Sequence, residues 1–278
     1  MARNMHKYEE ITPYEFNQEK ERRSIIYLAS GPLEFHEECN ALGIDAFKGY
    51  DWCLGAVEKT GGIVFPAIPL GPCVDKDNKL QERDDIRKFY AGEKDLYATY
   101  AAPSLFSSQK LCHDLFMELL ENFSQDLHFK LCVFVGTHGP SGDLCRKIVE
   151  EVGGNIHGME VMPVGTLQFN LDIAVKFYEE NNIPRISHGG VWETAFNYAM
   201  NPEFFQKKYL DASKYPQCHG ALTEEFYEGC IRPIIPEYDK LTPEFAHYLR
   251  NTTVDRLAAA VNEKYQAILD KEKEQEKA

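Results

Sequence analysis

Several things are scarce or missing in this 278-residue chain, and each absence closes a class of function. No apolar run approaches the ~20 residues a membrane-spanning helix needs. The N-terminus, Met1 to His6, leads into a polar segment without a hydrophobic stretch, which predicts no signal peptide. Basic residues are outnumbered: 30 Lys and Arg against 44 Asp and Glu leave a net charge of −14. Such a surface repels phosphate backbones, so nucleic acid is not an expected partner. The eight cysteines form no Cys-x-x-Cys pair, and most lie in apolar segments such as Leu131-Cys132-Val133-Phe134-Val135. Reduced thiols packed as small hydrophobes in a cytoplasmic protein are expected. No internal repeat or low-complexity segment stands out. What remains, 44% apolar and 27% charged, is ordinary globular composition with enough length for a large core.

Strand-like and helix-like segments alternate. Ser24 to Ala29 is short, apolar and rich in β-formers; Ala46 to Lys59 reads as a helix closed by Gly61-Gly62; Ile63 to Phe65 is a second strand. A helix follows over Leu111 to Phe123, then a core strand over Leu131 to Val135 and a helix from Asp143 to Val152. Ile156 to Met162 reads as a strand, Asn170 caps a helix to Glu180, and Ile183 to Ile186 is extended. Trp192 to Met200 is helical, and a C-terminal helix starts at Thr242 with Pro243 in its first turn. Its charged end, Asp270 to Ala278, is expected to fray. Residues 67–106 look irregular, with Tyr90, Tyr97, Tyr100 and Phe106 able either to wall a small ring or to pack in the core, as is Trp192. Alternation of this kind predicts one α/β domain over residues 1–278 with a mainly parallel sheet.

Three polar clusters fall at strand-to-helix junctions. Glu34-Phe35-His36 follows the first strand, with Asp45 nine residues beyond His36. Cys39 lies inside that loop and is expected to line it, a metal-binding thiolate being the alternative. Thr137-His138-Gly139 follows the third core strand, and His188-Gly189-Gly190-Val191-Trp192-Glu193-Thr194 follows the Ile183 segment. In a parallel sheet such junctions converge at the carboxyl edge, where ligands bind. Glu, His and Asp are the mixed oxygen and nitrogen ligands of a catalytic divalent ion, and five or six in one crevice suit two ions better than one. Each has a plainer alternative: a histidine satisfied by hydrogen bonds, a surface Glu34, or Glu193 complementing a helix dipole.

The order and spacing resemble the creatininase (creatinine amidohydrolase) family. Its first motif, Gly-Ser-x-Glu-Gln-His-Gly-Pro-His-Leu-Pro-Leu-x-Thr-Asp, falls without a gap on Gly31 through Asp45. Its Asn-Gly-His-Gly-Gly-Asn motif is similar to Gly136 through Ser141, and its His-Ala-Gly-x-x-Glu-Thr motif to His188 through Thr194. The resemblance implies a three-layer α-β-α sandwich with a mainly parallel central sheet and two divalent metal ions (Zn, Mn or Fe), in assemblies that are often hexameric homo-oligomers. It implies that Glu34 and His138 bind one ion, His36 binds the other, and Asp45 bridges both. Pro140 stands where creatininase has a carboxylate, and Glu193 is the expected replacement, as ligand and catalytic group; His188 matches a proton-shuttling histidine.

The implied activity is hydrolysis by metal-activated water of a C–N bond in a small polar cyclic amide or formamide. Two alternatives stand beside it: ring opening of a cyclic polyol ketone of the inosose type, and a metal-free small-molecule-binding pseudoenzyme. Glu37-Glu38-Cys39 in place of Gly-Pro-His, Ile186 in place of an Asp, and an unrecognisable substrate segment at 67–106 point away from creatinine itself.

Overall fold

The computed structural model describes residues 4–72, 105–184, 186–211 and 235–277. Five strands form one sheet in the order β2-β1-β3-β5-β4, where β1 is Ile25–Ser30, β2 Ile63–Val64, β3 Leu131–Gly136, β4 Asn155–Ile156 and β5 Met159–Gly165. The pairs β1–β2, β1–β3 and β3–β5 are parallel; β4–β5 alone is antiparallel. All six residues of β1 and of β3 are buried. Continuous apolar strands of this kind require both faces to be covered.

Two packed layers cover them. Ile25, Tyr27 and Ala29 face a core shared with residues of four helices: α2 (Ile44–Thr60), α5 (Leu171–Glu180), α6 (Val191–Met200) and α7 (Pro243–Gln275). Ile26 and Leu28, which alternate with them, face the other core with α3 (Gln109–Glu121) and α4 (Gly139–Glu151). The result is the three-layer α/β/α sandwich with a mainly parallel sheet. Among the described residues no helix is long and apolar enough to cross a membrane.

Several boundaries differ from the sequence reading for physical reasons. The helix expected from Asp143 begins at Gly139, because Pro140 sits in its first turn, where a missing N–H costs nothing. The strand expected over Ile156 to Met162 is instead a hairpin: His157 (φ 48°) and Gly158 (φ 92°) make a two-residue turn between β4 and β5. Ile183 and Ile186 belong to no strand; Pro184 between them has no N–H to give a ladder. The charged C-terminal segment does not separate from its helix, which runs to Gln275, with Lys271 paired to Glu160 and Lys130 to Glu272. A first helix, α1 (Pro13–Arg22), was not anticipated, although Thr12 and Glu15 form a reciprocal capping box.

Candidate metal centre

Register sets the site. Ser30 pairs with Gly136 and Gly136 with Gly165, so the loops after β1 and β3 leave the sheet at the same level. The first loop folds back on α2: a Cβ on Gly31 would lie 2.3 Å from the Asp45 carbonyl oxygen. Glycine is therefore required where β1 ends. Helix α2 begins at Ile44, ahead of the expected Ala46, and this places Asp45 in its first turn, buried. Thr137 donates its hydroxyl proton to the Asp45 carbonyl, tying the second loop to the same helix end.

The third cluster is locked to the first by the backbone of Gly189. Its φ of 69° and the 2.9 Å between an imagined Cβ and the His36 carbonyl carbon leave room for no side chain. Asn40 donates to the carbonyls of His36 (2.8 Å) and Gly189 (3.2 Å) and to Thr194 Oγ1 (2.9 Å). Glu237, which sequence reasoning missed, accepts from the Val191 N–H (2.8 Å) and Ser187 Oγ (3.1 Å), holding the start of α6. Tyr238 donates to the Gly189 carbonyl at 2.8 Å. No local pattern in the sequence announces these two supports.

Against this frame the structure brings together all six residues singled out from the sequence. His138 Nδ1 lies 3.0 Å from Glu34 Oε2 and 3.2 Å from Asp45 Oδ2. His36 Nε2 lies 3.4 Å from Asp45 Oδ2 and 3.6 Å from Glu193 Oε2. His36 Nδ1 is engaged at 3.1 Å with the Glu34 carbonyl, which turns Nε2 toward the carboxylates. Glu193 Oε2 accepts from the Gly189 N–H at 2.7 Å. His188 is the exposed member: its Nε2 lies 3.6 Å from Glu34 Oε2 and its ring packs on that of His36, centroids 4.2 Å apart.

A seventh residue joins them that the sequence reading passed over. Lys48, with no exposed surface, lies 3.0 Å from Asp45 Oδ1 and donates to Glu193 Oε1 at 3.2 Å. Its signal was available: three residues after Asp45 and four before Trp52, it shares their helix face. Trp192 is core, its ring edge-on to Phe196 and its N–H given to Asn170 at 3.1 Å. Phe106 has its ring 6.0 Å from that of His138. Tyr90, Tyr97 and Tyr100 lie outside the described residues. Cys39 is buried and, among the described residues, is not part of any ligand group.

Electrostatics couples these groups. Burial alone would raise Glu34, but His138 beside it outweighs that and holds the carboxyl down at about 2. Burial likewise opposes ionisation of Asp45 and Glu193, yet Lys48 and then His36 bring both well below the usual carboxylate range. Burial would lower the imidazoles, but Asp45 and Glu193 raise His36 to about 9, and Glu34 raises His138 to about 10. Lys48 is raised in spite of its burial by the same two carboxylates, Asp45 and Glu193.

The donor set suits a divalent metal ion. Among the described residues, three groups have ligand atoms within 4.8 Å of one another: Glu34, Asp45 and His138; His36, Asp45 and Glu193; and Glu34, His36 and His188. Among the described residues, the buried atoms Glu34 Oε2, His36 Nε2 and His138 Nε2 make no hydrogen bond. Buried polar atoms without partners are costly unless a ligand meets them. Nitrogen and carboxylate oxygen are the donors that zinc and manganese take.

Comparisons with known proteins identify the family and the fold. The profile of the creatininase family, described as creatinine amidohydrolase, matches residues 9–271. A crystal structure of creatinine amidohydrolase (creatininase) is similar over 94% of this chain and 98% of its own, at 16% identity and a TM-score of 0.67. A creatininase mutant of Zn-Zn type covers 95% of this chain and 99% of its own, at 14% identity and a TM-score of 0.68. A structure described as creatininase with Mn covers 94% and 98%, at 16% identity and a TM-score of 0.62. No curated protein is similar enough to this chain to count as a match. With its profile match spanning nearly the whole sequence, this chain belongs to the creatininase family.

Proposed function

We propose that this chain is a metal-dependent hydrolase that cleaves a C–N bond in a small polar cyclic amide or formamide. One observation carries the reading: six residues from three separate chain segments converge on groups of facing nitrogen and oxygen atoms, of which the buried Glu34 Oε2, His36 Nε2 and His138 Nε2 make no hydrogen bond. Glu34, Asp45 and His138 would hold one divalent ion, and His36, Asp45 and Glu193 a second, with Asp45 shared. The Zn-Zn and Mn relatives support that pairing of chain and metal. Bound divalent ions supply Lewis acidity for a substrate carbonyl and lower the pKa of water from ~15.7 toward ~7.

The chain's own residues do the rest. Asn40 and the Gly189 N–H fix the first loop and Glu193, so the carboxylates need not reorganise as charge develops. Glu193 serves as ligand and as an acceptor facing the reacting centre. His188, the most exposed of the three site imidazoles, stands where it can give a proton to the leaving nitrogen and so keep it from returning. Phe106 offers an apolar surface beside His138 against which a small ring can lie. The reading extends to a single folded unit that assembles as a homo-oligomer in the cytoplasm. Family likeness and the buried free thiols of Cys39, Cys53, Cys112, Cys132 and Cys145 support that extension.

The test is metal analysis followed by a substrate panel. The expected result is about two equivalents of zinc, manganese or iron with turnover of a cyclic amide or formamide. Turnover confined to inosose-type cyclic ketones would move the chain to the ring-opening alternative. A Lys48 ammonium among the carboxylates gives the metal-free binding alternative a specific basis. Purified protein that takes up no metal would favour that alternative.

A further inference from the structure

The two metal positions of the proposed site do not have equal surroundings. Lys48 sits three residues after Asp45 on α2, and its side chain is entirely buried. Its ammonium takes Asp45 Oδ1 at 3.0 Å and Glu193 Oε1 at 3.2 Å, and faces the Trp192 ring at 5.2 Å. The other oxygen of each carboxylate, Asp45 Oδ2 and Glu193 Oε2, is the one turned toward His36 Nε2. So the ammonium and the His36 group draw on the same two carboxylates from opposite sides. Glu34, by contrast, has only the imidazoles of His138 and His188 as ion-pair partners among the described residues.

Charge counting turns this asymmetry into an expectation. Glu34, Asp45 and Glu193 carry −3, and Lys48 brings the cluster to −2. One divalent ion neutralises it with the imidazoles acting as neutral ligands; a second then enters a cluster that has no negative charge left to offset it. Without Lys48 the count after one ion is −1. In a buried site a unit charge a few ångströms away is scarcely screened.

We propose that Lys48 is a resident cation that makes the two metal positions unequal, tight at Glu34/Asp45/His138 and weak at His36/Asp45/Glu193. This rests on the two-metal reading of the site. Lys48 touches no substrate in this scheme; it is a positioning residue that also holds the rotamers of Asp45 and Glu193. It makes the second ion exchangeable, so occupancy of that position follows the surrounding metal concentration while the first stays filled.

The experiment is a calorimetric titration of the full-length, metal-stripped protein with Mn2+ alone, with metal analysis after dialysis. Two steps are expected in the wild-type chain, the second on the order of 100-fold weaker or more. Lys48→Met, similar in length but uncharged, should strengthen the second step at least about tenfold and leave one equivalent retained as before. Glu34→Gln should weaken the first step more than Glu193→Gln does. Two equal steps in the wild type, or a second step that Lys48→Met leaves unchanged or weakens, would overturn the inference and leave the two-metal reading standing. No binding of Mn2+ by the wild type would overturn both. If Lys48→Met gives no cooperative melt, Glu193→Gln decides: loss of the weak step alone supports the assignment, and loss of the tight step refutes it.

Discussion

The strand β1 and the loop that follows it are adjacent in sequence and both place residues in the interior, yet they are held by different forces. From Ile25 to Ala29 every side chain is apolar or, in Tyr27, hydrogen-bonded to a neighbour, and packing against two helical layers is enough. From Glu34 to Lys48 burial falls on His36, Asp45 and Lys48, whose desolvation must be offset by specific partners. The strand needs volume and pattern. The loop needs particular atoms at particular distances, which is what preorganised chemistry requires.

The comparison breaks most sharply at the shared carboxylate. Asp45→Ala removes a group common to both metal positions and leaves Lys48, His36 and His138 without their common acceptor. Turnover should fall below detection and retained metal should drop, while far-ultraviolet circular dichroism still shows the α/β fold. Phe116→Ala, within the opposite core layer, should behave in the converse way. It deletes a fully buried ring packed edge-on to Phe134 at 5.1 Å, and denaturant unfolding should register a loss of about 3–5 kcal/mol. Activity per folded molecule should be unchanged.

A smaller effect is expected where the loop is held by backbone. Gly189→Ala forces a side chain into a left-handed conformation and against the His36 backbone. It removes no ligand side chain but shifts the N–H that holds Glu193 Oε2 at 2.7 Å, so its cost should be that of a displaced support, about 10–100-fold in metal affinity or turnover. The smallest effect is on pH dependence. In the metal-free protein the carboxylates raise His36 to about 9 and His138 to about 10, above an ordinary histidine near 6.5. Raised values of this sign stabilise the fold fully below pH ~6.5 and lose that contribution as pH climbs through 9 to 10. Melting curves of the stripped protein should therefore fall over that window. The metal-loaded form, whose imidazoles are already neutral, should be spared.

How far the sequence could be read follows the same division. The strands and most helices are legible because burial on both faces or on one stripe leaves a periodic mark. The ligand residues are legible because Glu34, His36, His138 and His188 sit immediately after segments that pattern marks as buried. Lys48 was not, because a lysine inside a helix reads as solvated; only its placement on the Asp45–Trp52 stripe hints otherwise, and Phe47, apolar and expected inside, is 45% exposed beside it. The His157–Gly158 turn was hidden by the apolar residues on either side of it. Glu237 and Tyr238 support the third motif from almost fifty residues away, and no periodicity links them to Gly189.

The account turns on whether these side chains gather a metal ion. Diffraction from crystals of the full chain grown with Mn2+, collected at the manganese edge, tests this directly. Anomalous density is expected between Glu34, Asp45 and His138, with a second, more weakly occupied peak beside His36, Asp45 and Glu193. Anomalous density only elsewhere on the protein, or none in the presence of excess Mn2+, would contradict it.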